Sequence, residues 1–166
     1  MADWMSLSYV VVLVKPETSI IHFARKIHGI TNDVVADAPV FEAIRDGVLA
    51  ALDTDALVAH NAHVDVGVLA RKLGDWACLE VFDTLKLARR LLPGAGSYQL
   101  GNLVEAFTLA DELPDGLSPH RATYDALVAA RLFVRLAVLT GTRPLSLEEL
   151  RGQPSGRGDD DTQALF

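Results

Sequence analysis

A chain of 166 residues, half of them hydrophobic, is long enough for one domain with a sizeable core. Its net charge of -7 excludes holding nucleic acid by a broad basic surface and leaves only local patches, such as Arg25 with Lys26, Arg71 with Lys72, and Lys86 with Arg89 and Arg90. The longest apolar run, Tyr9 to Val14, is far shorter than a membrane span, and a lone cysteine (Cys78, expected as a small buried residue) without an apolar leader fits a cytoplasmic protein.

Tyr9 to Val14 is rich in β-branched residues and stops at Lys15-Pro16, which predicts a strand. A short helix over Ile20 to Ile27 should end before Gly29. Pro39 suits a first helical position, and Val40, Ala43, Ile44, Val48 and Leu52 mark the apolar side of a helix running to Leu52. Ala56 to Ala59 is a continuous apolar run, predicting a strand buried on both faces, and a helix follows over Val64 to Leu73. A strand over Glu80 to Phe82 leads to a helix over Thr84 to Leu92, closed by Pro93-Gly94. Two more helices are predicted: Leu100 to Phe107, and the longest, Pro119 to Leu139, capped by Ser118. Strands alternating with helices give an α/β layered fold. The domain should occupy residues 1–141, with 142–166 a largely flexible extension holding a turn or two of helix between Pro144 and Leu150.

Asp125 shares a helix face with Ala122, Ala129, Leu132, Phe133 and Leu136, so its carboxylate faces the core. A salt bridge to a basic neighbour and a metal ligand fit that position equally well. Asp65 stands at the mouth of a helix after a buried strand, where ligands collect, although a helix dipole also favours a carboxylate there. His120, one turn before Asp125, reads as a general base or as a surface residue. His60 and His63 lack structural-zinc spacing and read as loop residues. Asp83 reads as a helix cap after its strand.

Four segments together go further. Leu57-Val58-Ala59-His60-Asn61-Ala62-His63-Val64-Asp65 resembles the second motif of the DEDDh (DnaQ-like) 3'-5' exonucleases, an HNAxFD run. His120-Arg121-Ala122-Thr123-Tyr124-Asp125 resembles their third motif, a histidine five residues ahead of an aspartate. Ile27-His28-Gly29-Ile30-Thr31 resembles the family's HGIT loop, and Phe82 to Pro93 its DTLxLARRLLP segment. All four stand in family order over roughly residues 8 to 140.

The resemblance implies an RNase H-like exonuclease fold, a mixed sheet flanked by helices, related to the proofreading subunit of bacterial replicative polymerases. It implies Mg2+ or Mn2+ as cofactor, with Asp65 and Asp125 as metal ligands and His120 as general base. His28, Ile30, Asn61 and Val64 would hold the terminal nucleotide, with Val64 replacing the usual phenylalanine. The partner implied is a single-stranded nucleic-acid 3' end, DNA ahead of RNA. The family's first motif, a DxE pair on the first strand, has no counterpart near this amino terminus. The chain is therefore expected to lack the first strands, to self-associate through an exposed sheet edge, to bind one divalent ion weakly and to show trace activity at most. The alternative is a non-catalytic relative that binds a nucleic-acid end or a protein partner; no nucleophile elbow suggests an acyl-transfer enzyme. Gln163, Leu165 and Phe166 resemble the peptides by which replication proteins dock on the sliding clamp, against an arbitrary apolar terminus.

Overall fold

The computed structural model describes residues 11–139, 141 and 143–152. The clamp-like residues Gln163, Leu165 and Phe166 lie outside them. The elements are α1 (His22–His28), α2 (Phe41–Ala51), β1 (Leu57–Ala59), α3 (His63–Leu73), β2 (Val81–Asp83), α4 (Thr84–Leu91), α5 (Leu100–Phe107), α6 (Ala122–Ala137) and α7 (Leu147–Arg151). No helix among the described residues is long and apolar enough to cross a membrane.

The two strands run parallel, with Leu57 opposite Val81, Val58 opposite Phe82 and Ala59 opposite Asp83. Helix α6 packs on β1, α4 and α5. The core lies where those helices meet: Leu87 and Ala88 of α4, Leu103 and Val104 of α5, Leu109, and Val128, Leu132 and Leu136 of α6. Leu132 and Leu136 are 0% exposed, which is the fate expected of the i, i+4 apolar face of a central helix. Phe82 and Phe133 meet with ring centroids 5.2 Å apart and extend that packing under β2.

Several expectations shift. Within the predicted strand Tyr9 to Val14, residues 9 and 10 are not described, and Val11 to Val14 join no ladder; Lys15 N–H instead reaches the Pro39 carbonyl at 2.9 Å. A β-rich sequence becomes a strand only beside a hydrogen-bonding neighbour. Strand β1 is half-buried rather than buried on both faces, because among the described residues it pairs with β2 alone. Pro39 precedes α2 instead of opening it, and Val40 takes the cap position. Cys78 is half-buried, its thiol donating to the Glu80 carbonyl at 3.0 Å.

The largest shift is at α6, which starts at Ala122 with Arg121 as its N-cap, not at Pro119 behind Ser118. His120 sits at φ 64, a left-handed conformation that breaks any helix passing through it. Residues 143–152, expected in the extension, contact the body of the domain. Helix α7 carries a capping box of Ser146 and Glu149, Arg90 donates to the carbonyls of Glu149 and Leu150, and Arg151 pairs with Glu80. By contrast α1 and α2 bury no side chain, and Ile21 and Phe23 are 67% and 69% exposed.

Candidate active site

The site forms where β1 and β2 end side by side. The chain leaves β1 through His60 and Asn61, turns with Asn61 at φ 67, and enters α3, whose first turn carries Asp65. The same level of β2 ends in Asp83. Its Oδ1 accepts the N–H groups of Leu85 at 2.9 Å and Lys86 at 3.4 Å, capping α4, and also that of Asn61 at 3.1 Å. One carboxylate oxygen thus fixes both the start of α4 and the turn that delivers Asp65.

His60 secures this turn from the other side. Its Nε2 lies 3.1 Å from the Tyr98 carbonyl and its Nδ1 3.0 Å from the Thr84 hydroxyl, a side chain 0% exposed. A carbonyl can only accept, so Nε2 carries a proton. Burial pushes the His60 pKa down, outweighing the Tyr98 carbonyl and Asp83, so the ring is neutral and Nδ1 accepts the Thr84 O–H. If the ring were protonated, Nδ1 would donate to Thr84, whose hydroxyl would turn to the Ala59 carbonyl 3.3 Å away. His60 is therefore a buried connector in a turn, not merely a loop residue; its position directly after β1, with Thr84 directly after β2, was the signal to read.

Asp125 stands in the first turn of α6, half-buried, its Oδ1 accepting His120 N–H at 3.2 Å. It is half-buried rather than fully buried, and no salt bridge to a basic neighbour is found for it among the described residues. His120 itself is exposed. The next residue, Arg121, donates to the His28 carbonyl at 3.1 Å, across 93 positions of sequence. His28 in turn accepts Ile30 N–H on Nδ1 at 3.0 Å. The His120 turn and the His28–Ile30 loop are thus tied together. Val64 is 51% exposed, beside Asp65 on α3.

The carboxyl of Asp65 is held above the ordinary aspartate range, first because it is partly withdrawn from water and then because the carboxylates of Asp125 and Asp83 face it; a hydrogen bond from its own backbone offsets part of this. Such a set of hard oxygen donors fits Mg2+ or Mn2+ better than a soft metal, and a cation would relieve the repulsion. The set is incomplete: no group of three His, Cys, Asp or Glu side chains disposed to hold an ion occurs among the described residues. Beyond His120 and Asp125 opens a cavity of about 770 Å³, walled also by His60, Asn61, Tyr98, Tyr124 and Arg89.

Residues 5–133 match the protein-family model RNase T, described as an exonuclease. The chain is 36% identical over 143 residues to exodeoxyribonuclease 10 of Escherichia coli strain K12, covering 86% of this chain and 61% of that protein. It is 33% identical over 145 residues to the 3'-5' exonuclease DinG of Bacillus subtilis strain 168, covering 85% of this chain and 14% of that one. The chain thus spans only part of the length of these relatives. Among solved structures it resembles exonuclease X in complex with 5' overhanging duplex DNA, with a TM-score of 0.66 and 34% identity, over 83% of this chain and 78% of that one.

Proposed function

Because the chain belongs to the exonuclease family, with an RNase H-like α/β fold and 3'-5' exonuclease relatives, we propose that its site acts on the 3' end of a nucleic-acid strand, DNA ahead of RNA. One observation carries the reading. The turn bearing His120 gives its N–H to Asp125 while its neighbour Arg121 holds the His28 loop, and the Asp125 carboxylate is close enough to Asp65 to help push its pKa up.

Asp65 and Asp125 would hold a divalent ion, which when bound lowers the pKa of a water and stabilises charge on a phosphate. The exposed ring of His120, whose backbone rather than side chain is tied to Asp125, is free to take a proton from that water. His28, Ile30, Asn61 and Val64 would receive the terminal nucleotide. Val64 offers a smaller wall than an aromatic ring and so places it more loosely.

The 166 residues contain no Asp-x-Glu pair. Two carboxylates leave an octahedral ion mostly to water, and the chain as it stands is proposed to have trace activity at most. Losing several kcal/mol of charge stabilisation, at about 1.4 kcal/mol per tenfold, costs several orders of magnitude in rate. A non-catalytic relative that binds a nucleic-acid end or a protein partner is the second reading, favoured by the absence of a three-donor group among the described residues.

The test is digestion of a 3'-labelled single strand with Mn2+ by three proteins: this chain, the chain extended by an upstream strand carrying Asp-x-Glu, and that extended chain with Asp125→Ala. Cleavage by the extended chain alone is expected. An inert extended chain would favour the non-catalytic reading, and vigorous cleavage by the unextended chain would show that another carboxylate completes the site.

A further inference from the structure

A second cavity, of about 410 Å³, lies between β2, the start of α3, α4 and α7, and none of the residues assigned above to the ion or the nucleotide lines it. Its charges are unevenly balanced. Glu80 is paired with Arg151, and Asp83 already accepts three backbone N–H groups, whereas neither Lys86 nor Arg90 is paired with a carboxylate among the described residues. Arg90 gives its guanidinium to the carbonyls of Glu149 and Leu150, which hold it in place without cancelling its charge. Lys86 and Arg90 are exposed and one turn apart on α4, so they make a local positive face in a chain of net charge -7.

The chain beyond α7 starts at this face and carries the opposite charge. Arg90 lies against Gly152, where a side chain would have no room, so α7 ends at the rim of the cavity. Seven positions on stands Asp159-Asp160-Asp161, three carboxylates against the single Arg157 in residues 153–166. A link of that length can span up to about 23 Å, and Gly156 and Gly158 leave it free to turn back. Carboxylates pair well with a guanidinium already held in position, because little side-chain entropy is left to lose.

Independently of the exonuclease reading, we propose that this groove is the docking site of the chain's own acidic segment, Asp159 to Asp161, against Lys86 and Arg90. The first measurement is zero-length carbodiimide crosslinking of the full chain, mapped by mass spectrometry on a mixture of light and isotope-labelled protein. Lys86 should be joined to Asp159, Asp160 or Asp161 of the same chain, with the Lys72–Glu17 ion pair as the internal control. The second is thermal melting of the full chain with all three aspartates changed to asparagine. In a chain of net charge -7, removing three negative charges should otherwise relieve repulsion, so a lower melting temperature has the opposite sign to the general effect. A fall of about 2 °C is expected at low salt, and it should vanish in 0.5 M salt. Lys86→Ala should lower the melting temperature of the parent and add nothing in the triple variant. The proposal falls if the crosslinks join two chains, if Lys15 or Lys26 is crosslinked to the aspartates as readily as Lys86, if the triple variant melts no lower than the parent, or if the effect of Lys86→Ala is undiminished without the aspartates.

Discussion

Asp83→Ala should be costly although Asp83 is half-exposed and no proposed step uses it. Its Oδ1 serves three backbone donors, at 2.9 Å for Leu85, 3.1 Å for Asn61 and 3.4 Å for Lys86. Losing an aspartate N-cap removes roughly 1 kcal/mol. Stranding the half-buried Asn61 N–H adds about 1 to 2 kcal/mol, because that donor has no substitute in the turn. The sum, about 2 to 3 kcal/mol, is a large fraction of a domain stability of ~5–15 kcal/mol. With a urea slope of about 1.5 kcal/mol/M, the midpoint should fall by roughly 1.5 to 2 M. Asp83→Asn keeps an acceptor oxygen in place and loses only the interaction of charge with the α4 dipole, about 0.5 to 1 kcal/mol. Equilibrium urea unfolding of the parent and both variants is the assay. Equal losses for Ala and Asn, or a loss below about 1 kcal/mol for Ala, would refute the idea that one carboxylate oxygen holds the turn and the helix together.

Two further outcomes follow from the titrating groups. The folded pKa of Asp65 is raised, so the native state prefers the protonated carboxyl, and the stability it contributes is full below the ordinary aspartate range and is lost as pH rises through the raised value. Asp65→Asn should therefore melt higher than the parent at pH 7, with the gain vanishing at acid pH; Mn2+ should raise the parent's melting temperature, through one weak site, and leave the variant's unchanged. A variant no more stable than the parent at pH 7 would count against the crowding of carboxylates at Asp65. The His60 pKa is lowered in the fold, so its contribution is present above the ordinary histidine range and is lost as pH falls through the lowered value. Nitrogen NMR of the His60 ring at pH 7 should show a neutral imidazole protonated on Nε2, and Thr84→Val should shift its Nδ1 resonance; a protonated ring or the Nδ1–H tautomer would contradict the bonding described above.

Periodicity determined much of this protein in advance. The apolar spacing of Leu100 to Phe107 marked α5, Thr84 to Leu92 gave α4 within a residue, and the four motif segments pointed to the family. These features are local: a helix's buried stripe and a strand's apolar run are written within a dozen residues. What the tertiary structure alone decided depends on partners far apart in the chain. His60 is defined by Thr84 and Tyr98, 24 and 38 positions away, and the His120 turn by a bond from Arg121 to His28 across 93. The true start of α6 was hidden because a proline suits the first position of a helix, so Pro119 behind Ser118 reads as an opening, whereas His120 is left-handed and gives its N–H to the Asp125 carboxylate. Tyr9 to Val14 has the composition of a strand, but its described part has no ladder partner. A ladder is a property of two segments, and no single segment's sequence records whether its neighbour is there.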